Sequence, residues 1–170
     1  MKDRSLYILR IVFVSVVAFV LQVTIVNGAW PGKASPDLVF VVLLLIIIDR
    51  GPVTAVVAGF LLGFLQDLGN ASFLGMNALA NSVVAYGVSR LGRDYLPEDV
   101  VFRIFLFFAA YLVKSIIVLN ITESFSFIRV ITFFFRYSVL SALYTALIAV
   151  FLWKFVQLIS ERVVRPGGGY

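Results

Sequence analysis

Long apolar stretches alternate with short polar breaks along the whole chain. The breaks leave six apolar segments, at about 8–28, 36–49, 52–68, 73–91, 100–120 and 137–159. Because a hydrocarbon core about 30 Å thick is crossed by roughly 20 helical residues, this pattern predicts an all-α, six-transmembrane-helix bundle that fills residues 1–170 as one polytopic membrane domain. The second and third segments are short, so they need flanking residues or a locally thinner bilayer to cross.

The first apolar segment has two interpretations. It follows Lys2, Arg4 and Arg10, and the small residues around Val26–Ala29 would suit cleavage of a secretory signal peptide. The apolar run is at the long end for a signal sequence, and everything downstream is also membrane-like. We therefore expect a retained first helix.

Composition agrees with a membrane protein. Of 170 residues, 62% are apolar and 14% are charged, whereas soluble domains have about 45–50% and about a quarter. Histidine and cysteine are both absent, so the chain lacks an imidazole base, a thiolate, the usual zinc and haem ligands and any disulfide. We expect no enzyme, no catalytic residue, no cofactor and no metal.

Lysine and arginine are distributed unevenly between the two sides of this arrangement. One side receives ten of them: Lys2, Arg4, Arg10, Arg50, Arg90, Arg93, Arg103, Lys154, Arg162 and Arg165. The other side receives only Lys33 and Arg129. By the positive-inside rule both termini face the cytoplasm, and the net charge of +5 reflects topology rather than a nucleic-acid partner.

Two cations remain within or beside the predicted spans. Lys114 lies about two-thirds along the fifth segment, and Arg136 opens the sixth. Each either extends to the outer headgroups or pairs inside the protein with an acid or a partner. Asp67 is the most plausible acid within the chain, because it ends the third segment on the same, outer side. The alternative for Asp67 is that it caps the next helix.

Small and amide side chains mark the third and fourth segments. Gly59 and Gly63 form a Gly-x-x-x-Gly pair, Gly75 continues the small-residue series, and Asn77 and Asn81 lie one helical turn apart. This combination predicts that the hairpin of these two segments is the packed centre of the bundle. Helix packing or partner binding is the favoured role, and a ligand site is the alternative.

An aromatic segment at about 125–135 precedes the sixth span. Arg129 and Arg136 belong to a polar stripe that recurs every three or four residues along it. The pattern is typical of an interfacial helix at the outer surface. The alternative is a surface for an anionic or polar partner.

Three short motifs carry a resemblance: Pro36-Asp37-Leu38, the run from Gly59 to Leu68, and the run from Leu74 to Leu79. They resemble the rod shape-determining protein MreD family, as do the chain's size and number of spans. The resemblance implies a bacterial inner-membrane subunit of the cell-elongation machinery. Its direct partner would be MreC, in an assembly with RodA, the elongation transpeptidase and MreB, surrounded by membrane lipid.

The resemblance also implies a fold similar to the substrate-binding components of energy-coupling-factor vitamin transporters. Those components dock through a small-residue helix surface, whereas only Ser15 and Ala18 interrupt the apolar run of the first segment here. A non-enzymatic scaffold in peptidoglycan synthesis is therefore the leading hypothesis, and a substrate-capture subunit of a vitamin transporter is the alternative. An intramembrane transferase would need several convergent carboxylates, and the spans offer only Asp67 near an edge.

Overall fold

The computed structural model describes residues 2–26, 34–48, 50–69, 74–95, 100–122 and 127–164. The α-helices among them are α1 (Lys2–Leu21), α2 (Leu38–Ile47), α3 (Pro52–Leu68), α4 (Met76–Tyr95), α5 (Val100–Thr122), α6 (Phe127–Phe133) and α7 (Val139–Val164). A π-helical stretch, Gln22–Val26, extends α1, and another, Phe134–Ser138, joins α6 to α7. These residues thus form an all-helical bundle of six rods, which confirms the all-α prediction and the predicted number of helices.

Helix α2 is the buried centre of the bundle. Every position from Leu38 to Ile47 is apolar, so the helix has no polar face to turn outward. Seven of its ten residues are buried, and α1, α3, α4 and α7 pack around it. The hairpin of the third and fourth segments, predicted as the packed centre, is the most closely packed pair of helices and lies against this central helix.

The α3–α4 hairpin instead provides the closest backbone contact. A Cβ atom added at Gly59 would lie 2.6 Å from the carbonyl oxygen of Asn81, and one added at Gly63 would lie 2.5 Å from the Cα of Ala78. Neither position has room for a side chain while the two helices keep this spacing. The structure therefore places both glycines where the backbones of α3 and α4 touch.

The outer faces of the rods are strongly apolar. Helix α1 buries only Ser15 and Ala18 among its described side chains, while Phe13 is 68% exposed. Large apolar side chains also cover the outside of the later rods, as at Phe105 and Phe151. Such continuous apolar surface suits contact with lipid rather than water.

The rods differ in length. Segments Val100–Thr122 and Ile128–Gln157 are long and apolar enough to cross a membrane, whereas Leu9–Thr24, Leu38–Ile47 and Pro52–Leu68 are shorter apolar helices. At 1.5 Å per residue, the 10 residues of α2 extend only about 15 Å. The short second segment noted in the sequence is therefore a short helix in the structure.

The aromatic segment before the last span continues directly into it. Residues Phe127–Phe133 pass through the π-helical stretch into α7, so the segment assigned to an interfacial helix forms the first part of a longer rod. Residues 125–126 lie outside the described part. So do Lys33, Arg165 and residues 27–29 of the candidate cleavage region.

Candidate functional site

Five polar side chains meet at one end of the bundle. They are Asp37 before α2, Gln66 of α3, Asn81 of α4, Lys114 of α5 and Thr145 of α7, and we refer to them as the polar cluster. This end is where α1 and α3 finish and where α2 and α4 begin. The charge distribution predicts that it is the outer end.

An ion pair forms the middle of the polar cluster. The Lys114 ammonium lies 2.5 Å from Asp37 Oδ2, and the two side chains are only 5% and 13% exposed. Gln66 bridges the pair, because its Nε2 donates to Asp37 Oδ1 at 2.7 Å while its Oε1 accepts from Lys114 Nζ at 3.0 Å. Asn81 Nδ2 also donates to Gln66 Oε1, at 2.9 Å, and the Phe40 ring centroid lies 4.8 Å from the ammonium.

Backbone groups attach the polar cluster to the remaining rods. Asp37 is the N-cap of α2, and its Oδ1 accepts from the Phe40 N–H at 2.9 Å. The Asp37 N–H donates to Thr145 Oγ1 at 3.1 Å, and the Leu38 N–H donates to Gln22 Oε1 at 2.7 Å. Each of the six described rods therefore contributes a group to one connected hydrogen-bond network.

Asp67 performs a separate task at the same end. It is fully buried, and its two oxygens accept from the backbone N–H groups of Gly75, Asn77 and Ala78 at 3.0, 3.0 and 3.1 Å. The Asn77 side chain donates to it as well, at 2.9 Å. These donors surround the N-terminus of α4, where the helix dipole favours a negative charge. The carboxylate thereby compensates for its unfavourable place at the C-terminal end of α3.

The structure corrects one suggested pairing and shows which alternative holds for Asp67. Lys114 pairs with Asp37 rather than with Asp67, and no ion pair joins Asp67 to Arg136. Asp67 is instead the cap of the next helix. The Lys114 ammonium reaches Asp37 Oδ2, whereas the oxygens of Asp67 already accept hydrogen bonds from four other donors.

Gly75 supports this cap through its backbone. Its φ of +92° is in the left-handed region that favours glycine, and this conformation turns its N–H toward Asp67 Oδ2. A side chain at this position would strain the backbone even though space is free around it. The small residue is thus needed here for conformation, while Gly59 and Gly63 are needed for close approach.

Arg129 and Arg136 stand apart from the polar cluster. Both side chains are exposed on the rod formed by α6 and α7, and the Arg136 guanidinium lies 5.5 Å from the ring of its neighbour Tyr137. Of the residues proposed from the sequence, the structure therefore groups the glycines, Asp67 and the asparagines at the α3–α4 contact. It places Lys114 in the polar cluster and leaves the two arginines on the surface.

Sequence reasoning missed three members of the polar cluster, namely Asp37, Gln66 and Thr145. A signal for Asp37 was present, because a Pro-Asp pair directly before a uniformly apolar helix marks an N-cap at the same end as Lys114. Gln66 was visible only as the neighbour of Asp67. Thr145 gave no signal, since a lone threonine in an apolar helix ordinarily bonds to its own backbone.

Comparisons with known proteins place the chain in one group. The family model described as rod shape-determining protein MreD matches residues 2–163 of the 170-residue chain. No curated protein and no solved structure matches it. The implied likeness to energy-coupling-factor components is therefore unsupported by any matching structure.

Proposed function

The chain belongs to the rod shape-determining protein MreD family, and we propose that it acts as a non-enzymatic membrane scaffold that binds MreC. Membership in this family assigns it a role in rod-shape determination at a membrane. The finer proposal is that it helps to control cell shape as a subunit of the elongation machinery. RodA, the elongation transpeptidase and MreB would belong to the same assembly.

The main support for the proposal is that the buried charged side chains bond to other helices of the same chain. The Asp37–Lys114 pair and the Asp67 cap are both consumed in holding helices together. Burying charges in hydrocarbon is costly unless they are paired and hydrogen-bonded, so a network of this kind fixes one arrangement of the rods. A fixed bundle with apolar outer faces suits a platform on which another subunit's transmembrane helix can dock.

The proposed location is the bacterial inner membrane, with six spans and both termini in the cytoplasm. Charge distribution supports this orientation, because Arg50 lies in the turn between α2 and α3, at the opposite end of the bundle from the polar cluster. The exposed side chains of Arg90 in α4 and Lys154 in α7 add positive charge at that end. Positive residues favour the cytoplasmic side of a bacterial inner membrane.

A substrate-capture subunit of a vitamin transporter remains the second candidate, and one observation favours it. Asn81 Oδ1 is buried and has no hydrogen-bond partner among the described residues. One unfilled acceptor suits a single water, whereas a ligand pocket presents several convergent polar groups. Because Gln66 and Lys114 already bond within the polar cluster, the scaffold is the better supported function.

Capture of the partner from native membranes tests the scaffold. The full-length tagged chain, solubilised in a mild detergent, should co-purify with MreC, identified by mass spectrometry. We assign the exposed Arg129 and Arg136 to the contact, since both lie on the outer part of one rod. The Arg129→Gln/Arg136→Gln variant should therefore recover several-fold less MreC at equal folded yield.

Lys154→Gln provides the matched control, because it removes an exposed cation from the other end of the same rod. It should leave recovery of MreC unchanged. Absence of MreC from the wild-type preparation would refute the scaffold proposal. Recovery of a bound vitamin-like small molecule in its place would support the second candidate.

A further inference from the structure

Helices α1 and α3 leave an apolar groove between them that extends from Arg50 along most of α3. Helix α1 packs mainly on α2 and touches α3 only sparsely, so the space between α1 and α3 stays unfilled. We call this space the inner groove. It has a volume of about 530 Å³, and its walls include Val12, Ala58, Leu61 and Leu65.

The length and the lining of the inner groove suit an acyl chain. The lining runs along α3 from Thr54 to Leu65, a length of about 17 Å at 1.5 Å per residue. Over this length the α3 side chains that line it beyond Thr54 are all apolar.

Polar groups are confined to one end of the inner groove. Arg50 and Thr54 line that end, both are exposed, and Arg10 directly precedes the lining residue Ile11. The rest of the lining is apolar apart from Ser15, whose hydroxyl donates to the Ile11 carbonyl oxygen at 2.8 Å. A ligand that fits this arrangement has a long apolar tail and an anionic head.

We propose that the inner groove binds an anionic phospholipid of the inner leaflet, with one acyl chain between α1 and α3 and the headgroup phosphate at Arg50. The positive-inside rule puts this end at the cytoplasmic face, where anionic lipids attract basic residues and pockets between helices bind their headgroups. Arginine suits the phosphate because its planar guanidinium donates two parallel hydrogen bonds. The site goes beyond the scaffold role and does not depend on which subunit the chain binds.

Native mass spectrometry of the full-length chain in detergent tests whether the inner groove selects lipids with an anionic headgroup. Phosphatidylglycerol and phosphatidylcholine with identical acyl chains are added in turn, and their dissociation constants are compared. Wild type should prefer phosphatidylglycerol, and Arg50→Gln should weaken its binding about fivefold, as expected for one basic residue lost at an anionic headgroup. Arg50→Lys should retain most of the preference.

Arg90→Gln is the matched control, because Arg90 is an exposed arginine on α4 that does not line the inner groove. It should leave the preference for phosphatidylglycerol unchanged. An equal loss in Arg50→Gln and Arg90→Gln would overturn the proposal, since binding would then follow total charge. Equal affinity of wild type for both lipids would also overturn it.

A second pair of variants tests the acyl chain. Ala58→Phe places a ring in the inner groove and should lower the affinity for both lipids, while Leu147→Phe enlarges an exposed residue of α7 and should not. A photoreactive residue at position 61 then identifies the occupant in native membranes. Because Leu61 is itself exposed, position 147 serves as the control for contact with bulk lipid. Adducts enriched in anionic phospholipid at position 61 relative to position 147 support the proposal, whereas equal lipid composition at both positions or a protein adduct at position 61 overturns it, whether or not Ala58→Phe folds.

Discussion

Removing one charge of the Asp37–Lys114 pair tests how the polar cluster stabilises the bundle. Asp37→Asn keeps the shape of the side chain, and asparagine can still cap α2 by accepting from the Phe40 N–H. The change strands the Lys114 ammonium, whose side chain is only 5% exposed. Losing one partner of a buried pair costs about 3–5 kcal/mol, whereas a hydrated surface pair contributes about 0–1 kcal/mol. We expect the larger loss.

Removing the positive charge instead should lower the free energy of unfolding by a smaller amount. In Lys114→Met the Asp37 carboxylate keeps two donors, Gln66 Nε2 and the Phe40 N–H, and it faces the N-terminus of α2. The helix dipole there favours an anion by about 0.3–1 kcal/mol. The lysine in Asp37→Asn keeps only weaker neighbours, the Gln66 amide oxygen and the Phe40 ring. The loss of stability in Lys114→Met should therefore be at the low end of the range of about 3–5 kcal/mol.

The double variant Asp37→Asn/Lys114→Met should recover most of the loss, because no uncompensated charge remains. Free energies of unfolding can be compared by denaturant titration of the purified protein in mixed micelles, with helicity as the signal. Asp67→Asn/Lys114→Met is the control pair. Asp67 bonds to the N-terminus of α4 and not to Lys114, so this combination should show no recovery.

Two results would refute this reasoning. A loss below about 1 kcal/mol in Asp37→Asn would mean that water reaches the pair and screens it. Recovery in Asp67→Asn/Lys114→Met, but not in Asp37→Asn/Lys114→Met, would mean that the cation belongs to Asp67.

Two further predictions concern packing and topology. Gly63→Ala should lower the free energy of unfolding by about 1–3 kcal/mol, because the added methyl group overpacks against α4. The control Gly87→Ala, whose methyl group meets no atom within 4 Å, should be neutral or slightly stabilising. Thermal unfolding in detergent measures both variants, and equal midpoints would show that α3 and α4 are not in close contact. In this cysteine-free chain, Asn70→Cys should react with a membrane-impermeant thiol reagent on spheroplasts and Tyr170→Cys should not. Labelling of position 170 from outside would contradict the six-span topology.

The sequence by itself determined the class of fold and several local features. Six apolar segments predicted six helical rods, because the length of each apolar run fixes how much helix it can form. The Gly59/Gly63 spacing pointed to a close contact, since only residues without bulky side chains let two backbones touch. The sequence also offered the capping role of Asp67 as one of two alternatives, because a short acidic side chain between two helices can accept hydrogen bonds from the N-terminus of the second helix.

Only the tertiary structure decided which groups meet. Asp37 and Lys114 are 77 residues apart, and the apolar pattern is the same whether Lys114 faces Asp37 or Asp67. The rotation of each rod about its axis is set by packing against all its neighbours at once, and this places Gln66 and Thr145 beside the pair. The central position of α2 and the opening between α1 and α3 depend on the same long-range packing. Sequence periodicity describes one helix at a time, so it could not supply them.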